Sequence, residues 1–286
     1  MIVRRTAFLL ALVVAASASD ITEEELLPDP HLLGGVVRSF GDFPAAAFIV
    51  TPGREICGAA VVDERHVVTL AQCVLNGTYH TINPRLLRVN AGDIRIIPVS
   101  HTRQSRLGLA VYVHPHFKSH SLENDIAVIR LQEPFHLPSN EVEPAFRRTR
   151  IVPNNHPCHL VGWGQITTTG TTIDYNQRSI PQTVNDRDQC TNLRRIRPIF
   201  ESMICAGNLV AAPTGPAPCN GNLGSGLYCD GDLAGLLSYG LNCGLANNPP
   251  TFTQIRFFNP WIQQQLTRTD IPPHGWSPLD FAVNNP

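Results

Sequence analysis

Eight cysteines behind a secretory leader constrain this chain more than any other feature. Arg4 and Arg5 precede an apolar run from Ala7 to Ala16, which ends in Ala16-Ser17-Ala18. That order of charge, apolar stretch and small residues is a signal peptide, residues 1–18, expected to be removed after Ala18. Nothing later reaches the ~18 consecutive apolar residues that a membrane-spanning helix needs. An even cysteine count in an oxidising compartment points to four disulfides with no thiol left over, although spacing alone leaves their connectivity open.

The mature chain is long enough to bury a large core, and 43% of the 286 residues are hydrophobic. The full 286-residue chain has a net charge of -1, and loss of the leader removes two arginines and no acid, giving -3. That balance gives no electrostatic case for a nucleic-acid partner. From Phe48 onward short apolar runs alternate with turns: Ala46-Ala47-Phe48-Ile49-Val50, Ala59-Ala60-Val61-Val62 and Ala110-Val111-Tyr112-Val113. Such β-branched runs read as strands. One helix is expected near the end, capped by Asn259 with Pro260 in its first turn and Ile262 and Leu266 on one face.

One loop carries the functional information. It reads Cys219-Asn220-Gly221-Asn222-Leu223-Gly224-Ser225-Gly226-Leu227-Tyr228-Cys229. The stretch resembles the nucleophile loop of trypsin/chymotrypsin-like serine proteases, Cys-x-Gly-Asp-Ser-Gly-Gly-Pro-Leu-x-Cys, with Leu223 in the serine's place. Val67-Val68-Thr69-Leu70-Ala71-Gln72-Cys73 resembles the segment that carries the family's general base, with Gln72 at the histidine position. Asn124-Asp125-Ile126-Ala127 resembles the segment that carries the third triad member, and Asp125 is retained. The likeness runs over residues 32–266. It implies an all-β fold of two six-stranded antiparallel β-barrels with a short C-terminal helix, and a cleft between them. It also implies the pairings Cys57–Cys73, Cys158–Cys229, Cys190–Cys205 and Cys219–Cys243.

At these positions the chemistry is missing. Leucine has no lone pair with which to attack a carbonyl, and a glutamine amide neither takes nor returns a proton near neutral pH. Ser225 lies two residues beyond the nucleophile position, and His66 and His80 lie outside the base position, so none of them is expected to substitute. Asn222 stands where the family's aspartate pairs with the new N-terminal ammonium, and an amide forms no charge-assisted pair. Upstream, His31 precedes Leu32-Leu33-Gly34-Gly35, so a trypsin-like activator has no basic residue to cleave after. Cleavage site, ion pair, base and nucleophile are all altered. Asp125 is then expected to be structural, accepting hydrogen bonds from Gln72 and nearby backbone. The oxyanion-hole backbone would be that of Gly221 and Leu223.

The resemblance also assigns a binding edge, Ser238-Tyr239-Gly240, and a degenerate pocket in which Ala217 replaces the trypsin aspartate and Pro250 a common glycine. The expected function is therefore a secreted, non-catalytic homologue. It would act by binding an extracellular protein, such as an active protease or its zymogen, as a cofactor, decoy or regulator in a proteolytic or immune cascade. The alternatives are a serine endopeptidase with residual or unusual activity, and a homologue that binds anionic or glycosaminoglycan surfaces through Arg147-Arg148-Thr149-Arg150 and Arg194-Arg195-Ile196-Arg197. No cofactor or metal is expected. The loop His114-Pro115-His116-Phe117-Lys118-Ser119-His120 fits no common zinc spacing and reads as solvated. Asn76-Gly77-Thr78 marks Asn76 as an N-glycan acceptor. Residues 19–31 form a short acidic segment without a domain of its own, and residues 267–286 read as a flexible proline-rich tail.

Overall fold

Strand after strand in this chain is apolar on both faces, and the architecture shows why. A computed structural model describes residues 35–53, 55–137, 139–163, 175–193, 198–209, 223–240 and 249–278. Strands β2 (Ala46–Val50), β3 (Ile56–Val61), β4 (His66–Thr69), β5 (Arg88–Ala91), β6 (Gln104–Val113) and β7 (Ala127–Leu131) follow the two-residue β1 (Val36–Val37). They close into an antiparallel barrel in the order β2-β3-β4-β7-β6-β5. The second half supplies β8 (Pro157–Gly162), β9 (Arg178–Thr183), β10 (Met203–Cys205), β11 (Gly226–Cys229), β12 (Asp232–Tyr239) and β13 (Thr251–Gln254). These run β9-β8-β11-β12-β13-β10, with β1 added outside β9. A bridge between Val184 and Ala206 brings the two ends of that order together. Helix α1 (Arg187–Leu193) precedes β10, and α2 (Ile255–Leu266) follows β13 without a break.

Successive side chains of a strand face opposite ways. On β2, Ala47 and Ile49 point into the first barrel, while Ala46 and Phe48 join a cluster between the barrels. On β11, Leu227 fills the second barrel and Tyr228 the seam; on β12, Leu237 and Leu236 divide in the same way. Phe48 meets Trp163 across that seam with ring centroids 5.1 Å apart. Both faces of these strands are dry, so the sequence shows apolar runs in place of strict alternation.

Three disulfides lie among the described residues: Cys57–Cys73, Cys158–Cys229 and Cys190–Cys205. The second closes 71 residues, a loop whose closure stabilises by roughly 4 kcal/mol on chain-entropy grounds. Cys219 and Cys243, the expected fourth pair, lie outside the described residues.

Two expectations are corrected. Helix α2 begins at Ile255, so Asn259 and Pro260 lie inside it. Ile255, Phe258 and Ile262 all face the seam cluster. Burial of that stripe carries the helix back to the end of β13, and Pro260 costs one backbone hydrogen bond, that to the carbonyl of Arg256. Asn259 instead donates its side-chain amide to the Arg148 carbonyl at 2.8 Å.

Nor is the tail free over residues 267–278. Arg268 lies over the Tyr112 ring at 4.4 Å, and Tyr112 donates its hydroxyl to the Asp270 carbonyl at 2.8 Å. Thr81 and Trp276 are joined by Thr81 N–H to Trp276 C=O at 2.8 Å, and Trp276 packs against the core of the first barrel. The proline-rich composition hid an ordered strap, because its partners are distant in sequence.

Candidate functional site

The two barrels touch backbone to backbone at the site. Gly58 N–H on β3 donates to the Leu223 carbonyl at 2.7 Å. A Cβ on Gly58 would overlap the backbone of Gly224 and Ser225, and one on Gly224, held at φ +81°, would overlap the Gly58 carbonyl. Glycine is required on both sides of this approach. Gly224 N–H donates to Leu237 C=O, and Leu237 N–H to Ser225 C=O, both at 2.9 Å. Leu223 is thereby pinned from both barrels, with its side chain packed against the seam cluster.

Gln72 follows β4 in the loop that Cys73 ties to β3. Its Nε2 donates to Asp125 Oδ2 at 2.5 Å and to the Ser238 carbonyl at 2.9 Å, and its backbone N–H donates to Asp125 Oδ1 at 3.1 Å. Asp125, just ahead of β7, is fully buried and also accepts from the Ser238 hydroxyl at 2.6 Å. Burial pushes its carboxyl up to about 6, against the pull of the hydrogen bonds from Ser238 and Gln72. Sequence reasoning missed the Ser238 hydroxyl as a partner of Asp125, since only the fold brings residues 113 positions apart together.

The ladder explains why Ser238 faces this way. The register of β12 against β13 shifts between Leu237 and Tyr239. Such a bulge lifts one residue out of the pairing, and the Ser238 carbonyl is the group that Gln72 takes. Tyr239 turns its hydroxyl to the Met203 sulfur at 3.7 Å, and Gly240 follows at φ +98°. Pro250 is buried, its carbonyl accepting from Ala206 N–H at 3.1 Å. Ala217, Gly221 and Asn222 lie outside the described residues.

The other candidates do not join the site. Ser225 is 2% exposed, and its hydroxyl has no hydrogen-bond partner among the described residues. His66 Nδ1 is engaged by the Asp63 carboxylate at 2.9 Å, and the His80 ring meets the Thr78 hydroxyl at 3.1 Å. Among the described residues no group of three or more His, Cys, Asp or Glu converges as metal ligands do. His114 is not solvated as expected; it packs against Phe258 and Trp261, and burial lowers its ring to about 4. The first arginine cluster is also less free than expected. Arg147 donates to Gln263, and Arg148 to Asp230 and the Cys229 carbonyl. Asn76 stands in an exposed turn, its Oδ1 accepting from Thr78 and His80.

Beside Gln72 and Leu223 opens a cavity of about 390 Å³, walled by Ile56, Leu75, Ile82, Trp163 and the Cys57–Cys73 disulfide. Two barrels, a cavity beside Gln72 and Leu223, and a buried aspartate held by Gln72 now stand together. The Trypsin family model matches residues 32–262. The chain belongs to the trypsin family. It is similar to trypsin-1 of Salmo salar, with 29% identity over 75% of this chain and 82% of the salmon protein. The anionic trypsin of Canis lupus familiaris is 26% identical over 83% of this chain and 90% of its own. Kallikrein-7 of Homo sapiens is 27% identical over 91% and 96%. Within this trypsin-family fold the aspartate's neighbour is an amide, and Leu223 brings an alkyl side chain to the same cavity.

Proposed function

We propose that this trypsin-family protein is secreted and non-catalytic, and acts by binding an extracellular protein such as an active protease or a zymogen. The observation that carries the reading is the Gln72 side chain, whose Nε2 is committed to Asp125 and to the Ser238 carbonyl. An amide so held has no proton-accepting nitrogen to offer. Leu223, pinned by Gly58, lines the same cavity as Gln72 and carries no hydroxyl. Loss of one key member of a triad already costs on the order of a million-fold, and binding and oxyanion contacts alone leave roughly 10³ over water. Disulfides favour an oxidising compartment, and no helix among the described residues is long and apolar enough to cross a membrane. With Arg147 and Arg148 engaged internally, an anionic surface is the weaker partner.

The test is a fluorophosphonate probe together with a panel of peptide substrates. The wild-type protein and Ser225→Ala are expected to show neither labelling nor turnover. Labelling or hydrolysis that disappears in Ser225→Ala would defeat the binding reading. Affinity capture from the native fluid should then return a serine protease or its precursor.

A further inference from the structure

The connection between the barrels holds an arginine, Arg150, whose side chain is engaged by none of the described residues. Arg148 is fixed at the start: its N–H donates to Leu233 C=O at 3.0 Å, its guanidinium reaches Asp230, and its carbonyl receives Asn259. At the far end Val152 is buried in the second barrel and Asn155 N–H donates to Val184 C=O at 2.7 Å. Between these anchors Thr149, Arg150 and Ile151 are exposed, in neither helix nor strand, and Ile151 is 66% exposed despite its apolar side chain. Among the described residues no ion pair or side-chain hydrogen bond holds the Arg150 guanidinium. An exposed, unpaired backbone with a free cation is what an arginine-specific endopeptidase reads in an extended substrate.

Cutting there would sever no cross-link among those described. Cys57–Cys73 lies before the bond, and Cys158–Cys229 and Cys190–Cys205 lie after it; Cys219 and Cys243 also follow it in sequence. Yet each half lends an arm to the other. From the N-terminal half, β1 pairs with β9 at Val36–Ser179 and Val37–Arg178. From the C-terminal half, the strap lies on Tyr112 and Thr81 of the first barrel. Gln72–Ser238, Gly58–Leu223 and Phe48–Trp163 close the seam between these exchanged arms.

We propose that the Arg150–Ile151 bond is a processing site for an arginine-specific extracellular endopeptidase, and that the exchanged arms keep the product as a two-chain molecule. One water is consumed; the Arg150 carboxylate and the Ile151 ammonium are formed, and no other bond changes. Processing here is independent of whether the cleft is catalytic.

The test treats the purified full-length secreted protein with trace trypsin as the arginine-directed probe under native conditions. A new N-terminus reading Ile151-Val152-Pro153-Asn154 is expected, with two fragments on a denaturing gel run without reductant. Size-exclusion chromatography of the same sample should show one peak at the position of the uncut protein. Arg150→Gln should lose that N-terminus and keep its melting temperature. Absence of the Ile151 terminus while other bonds are cut overturns the site. Fragments that separate on the column overturn the role of the arms, and single-chain protein throughout the natural source overturns processing in vivo.

Discussion

Gln72 Nε2 lies 2.5 Å from Asp125 Oδ2 and 2.9 Å from the Ser238 carbonyl, so one amide nitrogen joins the first barrel's buried carboxylate to the second barrel's backbone. Truncation to alanine would leave a buried acceptor on each side of the seam short of a donor. Gln72→Ala is therefore expected to lose about 1–3 kcal/mol, the usual penalty for a buried polar group deprived of its partner. Gln72→Glu should lose more at pH 7 than at pH 5, because a second carboxylate would face Asp125. Urea unfolding of both variants at the two pH values checks this, and an unchanged midpoint for Gln72→Ala would sink the clasp.

Asp125 itself gives a pH signature. Its folded value of about 6 lies above the model-peptide value of 3.8, so the native state holds the proton more tightly than the unfolded chain. Below 3.8 both states are protonated and nothing is lost. As pH rises through the window from 3.8 to about 6, stability falls, by about 3 kcal/mol in total. Asp125→Asn removes that slope. The stability of wild type minus that of Asp125→Asn should decrease between pH 4 and pH 6.5; a difference that rises or stays flat refutes the assignment.

A second buried carboxylate behaves oppositely. Asp93 lies at the start of a loop closed on Arg103, which sits 2.9 Å from its Oδ2 and also donates to the carbonyls of Arg95 and Ile96. Desolvation pushes the Asp93 carboxyl up, but hydrogen bonds from Ser100 and Arg95 and the Arg103 charge outweigh it and hold it below its usual value. Its contribution is present above the ordinary aspartate range and is lost as pH falls through the lowered value. Arg103→Met leaves that carboxylate buried without its counter-charge, held only by the backbone donors of Arg95 and Ser100, at a cost of up to about 3–5 kcal/mol. Thermal melting of the variant at neutral pH measures it, and a shift of under a degree would show that backbone donors suffice.

How far the sequence reached depends on the range of each interaction. The first barrel's strands were legible because Ala46–Val50 and the run ending at Val113 carry β-branched and apolar residues in short bounded stretches. Gln72 and Leu223 were legible because neighbouring cysteines fix their frame. The bulge at Ser238 was not, since it depends on pairing between strands distant in the chain. Helix α2 was placed five residues late because Asn259-Pro260 reads locally as a start, while Ile255 and Phe258 owe their helical state to the seam.

The strap was the other miss, and it makes the last prediction. Residues 267–278 carry few apolar side chains, so composition alone reads as a tail. Contacts with the first barrel hold them instead, among them Arg268 on the Tyr112 face, Asp270 C=O on the Tyr112 hydroxyl, Arg130 on the carbonyls of Arg268 and Thr269, and the Thr81–Trp276 pair. Trp276 and Ile82 pack against the first barrel's core, which includes Leu75, and Leu75 and Ile82 also wall the cavity next to Gln72. Trp276→Ala should cost about 1–3 kcal/mol from lost apolar contact. Removing residues 268–286 should additionally free the Thr81 amide, whose acceptor is the Trp276 carbonyl. Hydrogen exchange separates the readings cleanly: Thr81 should lose its protection in the truncated protein while Leu237, bonded to Ser225 in the second barrel, keeps its own. Equal protection at Thr81 in both forms would mean that the strap rests on the barrel without holding it.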